Sequence, residues 1–177
     1  MKRVLCLLEN GFEEIEAITP VDVLRRAGVE VVLAGVSGTA VMGKCGIRIE
    51  ADVLLENVSL DGFDALFLPG GPAVMELRGN AKILDLIRDF SAKDKLIAAI
   101  CAAPLLLNDA GVLEGRKFTA HFTTTNELPE NRGERVVTDG AFITSRGAGT
   151  ALDFGLEMVA ILAGATVRDE VAAAIMV

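Results

Sequence analysis

The chain reads as an α/β protein, a mostly parallel sheet with helices on both faces. Three observations carry this reading. Short, almost wholly apolar runs recur, the pattern of strands buried on both sides. Segments with helical spacing and terminal signals alternate with them, the order that builds parallel sheets. No linker, low-complexity tract or internal repeat divides the 177 residues, so one domain over 1–177 is expected, domains commonly running ~100–200 residues.

Taken in order, "KRVLCLL" (2–8) is a buried strand, and "NGF" turns the chain. "EEIEAITPVDVLRRAG" (13–28) is a helix with acids in its first turn, arginines in its last and Gly28 where a C-terminal cap belongs. "VEVVLAG" (29–35) is the next strand. "GTAVMGKCGIRIEAD" (38–52) alternates around glycines and predicts a small hairpin outside the main sheet. "FDALFLPGG" (63–71) is a buried strand ending in a Gly-Gly turn. "NAKILDLIRDFSAKD" (80–94) is an amphipathic helix, and "KLIAAI" (95–100) is the strand leading into Cys101. "APLLLNDAG" (103–111) is a helix with proline in its first turn, where a missing N–H costs little. "KFTAHFTTTNEL" (117–128) predicts a strand and then a polar loop. "ERVVTDGAFITSRG" (134–147) is two strands joined through Asp139-Gly140. "GTALDFGLEMVAILAG" (149–164) is apolar nearly all round, hence buried or at a subunit interface. "RDEVAAAIMV" (168–177) is a last helix.

Composition narrows the function. Every apolar run is interrupted well short of the ~18–20 residues a membrane helix needs, despite 51% hydrophobic residues and a mean hydropathy of +0.46. The basic start lacks a long enough apolar stretch for export, so a cytoplasmic protein is expected. Net charge is −8, pI is about 4.7 and no basic stripe exists, which argues against nucleic acid. Cys6, Cys45 and Cys101 are odd in number and widely spaced, as for free thiols. One histidine and no paired Cys or His spacing leave too few ligands for zinc, so no metal is expected.

Sites in such sheets lie beyond the carboxyl ends of the strands, the edge that should carry Gly11, Gly70-Gly71 and Cys101. Free cysteine is commonly a small buried hydrophobe, and Cys6, in mid-strand, keeps that reading. Cys101 sits at a strand-to-helix turn that projects its side chain over the sheet edge, as a nucleophile elbow does. The following helix aims free N–H groups at its sulfur, which should lower the thiol pKa. Gly-Gly at 70–71 usually ends a strand; here it also lets backbone N–H groups approach, so Gly71 and Ala102 could form an oxyanion hole. Glu13, Glu14 and Glu16 complement the helix dipole, and the helical wheel does not choose among them. Pro20 crowds the carbonyl of Glu16 four residues back, a local distortion that favours Glu16. A lone histidine is usually structural, yet His121 ends a strand-like run where a cysteine enzyme places a base or orienting partner. "SRGAGTALDFG" (145–155) imitates a dinucleotide fingerprint. Leu152 occupies its third small position, and too little chain follows for the ribose-binding acid. No Trp or Tyr is present to stack on a flavin, so no cofactor is expected.

With "AAICAAP", "NGFEEIEAITPVDVLRRAG", "LPGG", "SRGAGTALDFGL" and the placement of His121, the sequence resembles the DJ-1/ThiJ/PfpI family nearly end to end. The resemblance implies a flavodoxin-like three-layer sandwich, usually a homodimer, and an oxidation-sensitive cysteine paired with a carboxylate. It maps the nucleophile onto Cys101, its partner onto Glu16, the nearby histidine onto His121 and the backbone donors onto Gly71 and Ala102. It implies a glyoxalase III or deglycase-type activity on methylglyoxal, glyoxal or their adducts through a Cys101 hemithioacetal. An oxidative-stress sensor or chaperone is the alternative. The peptidase-like branch carries a histidine after the nucleophile, and Ala102 there argues against a peptidase or amidase. Cys45 lies near a position where relatives carry an extra cysteine, and no role is transferred to it.

Overall fold

The computed structural model describes residues 1–177. In chain order the elements are β1 (Arg3–Leu8), α1 (Glu14–Arg26), β2 (Glu30–Gly35), β3 (Ala40–Met42), β4 (Arg48–Glu50), β5 (Val53–Leu54), β6 (Ala65–Leu68), α2 (Ala73–Arg78), α3 (Ala81–Ala92), β7 (Leu96–Ile100), α4 (Pro104–Asp109), β8 (Val136–Asp139), β9 (Phe142–Ser145), α5 (Ala151–Ala163) and α6 (Ala165–Ala174). Seven strands form one sheet in the order β5-β2-β1-β6-β7-β9-β8, parallel except for β8. Without its two outer strands, that order is the flavodoxin-like one.

The apolar runs are continuous because successive side chains enter different cores. Val4, Cys6 and Leu8 of β1 join one buried cluster, with Val21 and Leu24 of α1 and Phe154 and Met158 of α5. Leu5 and Leu7 join the other, with Ile83, Ile87 and Phe90 of α3 and Leu106 of α4. The three-layer sandwich follows from this period-2 split of a two-sided strand. Helix α1 runs into Gly28, whose φ of +74° suits the residue beyond a helix end.

Helix α5 is sandwiched between α1 and α6, which accounts for its apolar circumference. A Cβ at Gly155 would lie 2.7 Å from Val23 Cγ2 and 2.9 Å from Pro20 Cα, so only glycine allows α1 and α5 this approach. The 38–52 segment forms the separate two-stranded sheet expected of it, β3 with β4. Asp139-Gly140 turns β8 into β9, Gly140 having a φ of +60°.

One local expectation fails, and two short elements lie outside the reading of the sequence. Residues 117–120 form no strand: Thr119 N–H donates to Thr144 Oγ1 and its hydroxyl to the Glu134 carbonyl, so side chains replace a ladder. Strand β5, two residues long, and the six-residue α2 went unread, each too short to show a period.

Phe154 is fully buried, its ring centroid 5.8 Å from that of Phe67 across the α5–sheet contact. Phe154→Ala is expected to cost about 3–5 kcal/mol, read as a lower urea midpoint at unchanged slope.

Candidate active site

The strand order reverses at β1, between β2 and β6, and a crevice opens there beyond the carboxyl ends. The loops after β1, β6 and β7 meet at it. Cys101 directly follows β7 with a φ of +65°, a left-handed conformation that costs a non-glycine residue about 1–2 kcal/mol. Two hydrogen bonds hold it there. Its N–H donates to the Ser145 carbonyl at 2.8 Å, and its own carbonyl accepts the His121 N–H at 2.8 Å. The strand-end elbow is thus clamped from both sides, with the thiol partly exposed.

The three acids of α1 separate by contact. Glu13 caps the helix, its Oε2 accepting the Glu16 N–H at 2.7 Å. Glu14 turns to the hairpin loop, accepting the N–H groups of Cys45 at 2.8 Å and Ile47 at 3.3 Å. Glu16 is 2% exposed and points at the elbow, where the Cys101 thiol and the Gly70 N–H face its carboxyl. Its Oε2 has no N–H or O–H partner.

Glycine makes this approach possible. A Cβ at Gly70 would sit 2.3 Å from Glu16 Oε2 and 2.6 Å from Cys101 Cβ. At Gly71, φ is +97° and a Cβ would stand 2.5 Å from the Gly11 carbonyl oxygen. The N–H groups of Gly71 and Ala102 face the Cys101 sulfur.

Burial pushes the Glu16 carboxyl up to about 7, and Glu13 adds to the rise while the Cys101 thiol, Lys44 and the Gly70 N–H oppose it. Burial, then the charge of Glu16 and the hydrogen bond to it, push the Cys101 thiol up to about 12 against the pull of the Gly71 and Ala102 N–H groups. This corrects the expectation of a lowered thiol pKa. Helix α4 is only six residues long and starts at Pro104, after a turn, so its dipole end is weak and displaced from the sulfur. Two of the three upward influences on Cys101 need an ionised Glu16 and vanish when it is protonated. The pair therefore holds one negative charge between about 7 and 12, carried by the Glu16 carboxylate with the Cys101 thiol facing it.

His121 reaches the elbow through its backbone. Its Nδ1 lies 2.8 Å from Thr123 Oγ1, its ring is 4.3 Å from that of Phe122, and it makes no hydrogen bond to the Cys101 or Glu16 side chains. Burial and then Lys44 lower its pKa, so it is neutral at neutral pH. Ser145 and Lys44 were missed in the sequence: one acts through its carbonyl, the other reaches Glu16 and His121 from the hairpin loop. Neither leaves a motif. Cys6 is fully buried, and burial pushes its thiol pKa up.

Ligand atoms of Glu13, Glu14 and Cys45 lie within 4.8 Å of one another, a possible metal grouping that residue spacing could not reveal. Both carboxylates there already serve as acceptors for backbone N–H groups. No helix is long and apolar enough to cross a membrane.

The profile of the DJ-1/PfpI family matches residues 2–161. The chain belongs to that family. Within it, Protein dj-1beta of Drosophila melanogaster is 40% identical, with 99% of this chain and 97% of that protein aligned. Its crystal structure superposes with a TM-score of 0.95 over 99% of this chain and 98% of that one. Deglycase PfpI of Pyrococcus furiosus is 35% identical over 90% of this chain and 99% of its own length. The structure of oxidized Toxoplasma gondii DJ-1 has a TM-score of 0.94 at 32% identity, covering 99% and 98% of the two chains. These matches accompany the mostly parallel sheet and flavodoxin-like order, and deglycase-named relatives indicate an enzyme of this family.

The Glu16 value, raised above its ordinary 4.5, makes proton uptake a source of stability that is complete below pH 4.5 and lost as pH rises through about 7. Glu16→Gln, neutral throughout, is expected to be more stable than wild type by about 1–3 kcal/mol at pH 8, with the gain gone at pH 4. Denaturant titrations at the two pH values measure it. The same variant should titrate its Cys101 thiol below about 12, seen in the pH dependence of iodoacetamide alkylation.

Proposed function

We propose that this DJ-1/PfpI protein is a cofactor-independent glyoxalase III or deglycase-type enzyme acting on methylglyoxal, glyoxal or their adducts. The observation that carries this reading is the Cys101–Glu16 pair: a thiol on a strained elbow against a buried carboxyl whose pKa lies near neutrality. The names of the archaeal relatives, deglycase in Pyrococcus furiosus and in Thermococcus kodakarensis, support the same class.

In this mechanism Glu16 takes the Cys101 thiol proton as the sulfur adds to the aldehyde carbon, the carbonyl π pair moves onto oxygen, and that proton is passed to the oxyanion to give a hemithioacetal. The Gly71 and Ala102 N–H groups, which face the sulfur, hold the developing oxyanion. Glu16 removes the proton from the former aldehyde carbon and returns one to the neighbouring carbon, so the first carbon is oxidised and the second reduced within one molecule. A Cys101 thioester of the hydroxy acid results, and water cleaves it to lactate and free thiol. The net reaction is methylglyoxal plus water to lactate, with no external oxidant. A carboxyl titrating near 7 is suited to give and take that proton. His121, neutral and bonded to Thr123, orients the elbow through its backbone. A homodimer in the cytoplasm completes the proposal, and sedimentation tests its first half.

A redox sensor or chaperone using Cys101 is the second reading, favoured by the partial exposure of that thiol and by a carboxyl able to donate to a sulfinate oxygen. Mild peroxide followed by mass spectrometry should modify Cys101 before Cys6; Cys6 or Cys45 oxidising first sinks this reading.

Incubated with methylglyoxal in the absence of glutathione, the wild-type protein is expected to form lactate, and Cys101→Ala and Glu16→Gln to form at least 100-fold less, about the ~10²–10⁴-fold worth of positioned proton transfer. Equal lactate from Glu16→Gln would remove that residue from the mechanism.

A further inference from the structure

The "SRGAG" stretch, which imitates a dinucleotide fingerprint, has another use in the fold. It forms one wall of a cleft of about 830 Å³, and the opposite wall comes from the loop around 131–135. Arg132, Arg135 and Arg146 line the cleft, and no Asp or Glu does. In a chain of net charge −8 this is a local reversal of sign.

The three arginines are not equivalent. Arg132 pairs with Glu134, and Arg135 with Asp153. Arg146 has no carboxylate partner, and its only hydrogen bond runs to the Gly133 carbonyl at 3.0 Å. Asn131 braces that carbonyl's loop, its Oδ1 accepting the N–H groups of Ala120 and Gly133 and its Nδ2 donating to the Ala120 carbonyl. Arg146 is thus placed by backbone contacts with most of its guanidinium fork uncommitted.

The cleft adjoins the reacting pair. Arg146 follows Ser145, whose carbonyl takes the Cys101 N–H. His121 and Gly147 belong to the cleft wall, and a Cβ built on Gly147 lies 3.5 Å from the His121 ring and 3.8 Å from Glu16 Oε1. Gly147 thus stands between the cleft and the Glu16 carboxyl.

We propose that this cleft is an anion subsite in which Arg146 holds a carboxylate or phosphate carried by the molecule that reacts at Cys101. The proposal rests on the reading of Cys101 as the reacting group. A planar guanidinium with free donors matches the two oxygens of such a group, and with Arg132 and Arg135 paired to Glu134 and Asp153, Arg146 is the lining arginine whose charge no carboxylate takes up. The substrates best suited are dicarbonyls or adducts bearing an anionic end; a neutral dicarbonyl leaves the subsite unused.

The test uses alkylation, which needs no turnover. Iodoacetate carries a carboxylate and iodoacetamide does not; both react with thiolate by the same displacement of iodide. At low ionic strength, the ratio of their rates at Cys101, relative to N-acetylcysteine, is expected to be about tenfold higher in the wild-type protein, and to fall with salt. Arg146→Met should lower that ratio at least threefold with the iodoacetamide rate within twofold of wild type, which also certifies the fold. Arg146→Lys should restore part of it. Inorganic phosphate should slow iodoacetate more than iodoacetamide in wild type and not in Arg146→Met, if the cleft takes phosphate; a loss of ratio without phosphate protection restricts the subsite to carboxylates. A wild-type ratio equal to that of N-acetylcysteine, or one unchanged by Arg146→Met, overturns the proposal. Lactate formation tests the reaction class separately: its failure with a normal alkylation ratio rejects the glyoxalase reading and keeps the subsite, and failure of Cys101 to react with either reagent rejects both.

Discussion

Two acids that share one buried space cannot both ionise, and the architecture of this protein converges on that constraint. Glu16 and Cys101 each lose solvation, and the charge of Glu16 pushes the thiol further up while the thiol's hydrogen bond eases the ionisation of Glu16. Moving the carboxyl a few ångströms outward would restore an ordinary glutamate and an ordinary thiol. Its position depends on Glu13 holding the first turn of α1 and on Gly70, the only residue type that leaves space between the two groups. The reversal of strand order at β1 is what brings the α1 loop and the β7 elbow to a common crevice.

The elbow draws on the stability of the sheet. A cysteine at φ +65° is unfavourable by itself, and a free loop would relax it. Here β9 and the His121 loop each hold one of its backbone groups, and β7 beneath it is fully buried between two cores. The strain is small beside that packing, so it persists without distorting the fold. Rigid placement of the sulfur follows from the sheet, whereas access to it comes from loops.

Much of this was legible in the sequence, because the strands that matter are continuous apolar runs and α1 and α3 carry terminal signals as well as a period. The residues that were harder to assign act through tertiary contacts. On a helical wheel Glu14 is as good a candidate as Glu16; the distinction is made by the hairpin loop, which takes Glu14 for its own N–H groups and leaves Glu16 to the crevice. The resemblance to a known family made that choice where periodicity could not. The thiol pKa moves opposite to what a helix start beside Cys101 predicts, because α4 is short and a buried carboxyl lies close to the sulfur. Residues 117–120 look like a strand by composition, yet their neighbours offer side-chain partners in place of a strand edge. The arginine cleft left no basic run to notice, since its members come from a loop and a strand end separated in sequence.

The proposed division of labour between Glu16 and His121 rests on the same contacts. An imidazole that moved protons for Cys101 would need a ring nitrogen directed at the sulfur or at the substrate, with a pKa near the working pH. His121 instead commits Nδ1 to Thr123, rests on Phe122 and has its pKa lowered by burial and Lys44. Glu16 has the opposite properties, since its buried carboxyl faces the thiol and titrates near neutrality, with one oxygen free of any other partner. In the proposed reaction a single carboxyl then serves as proton acceptor at one step and donor at the next. In the proposed reaction the histidine acts through its main-chain N–H on the Cys101 carbonyl.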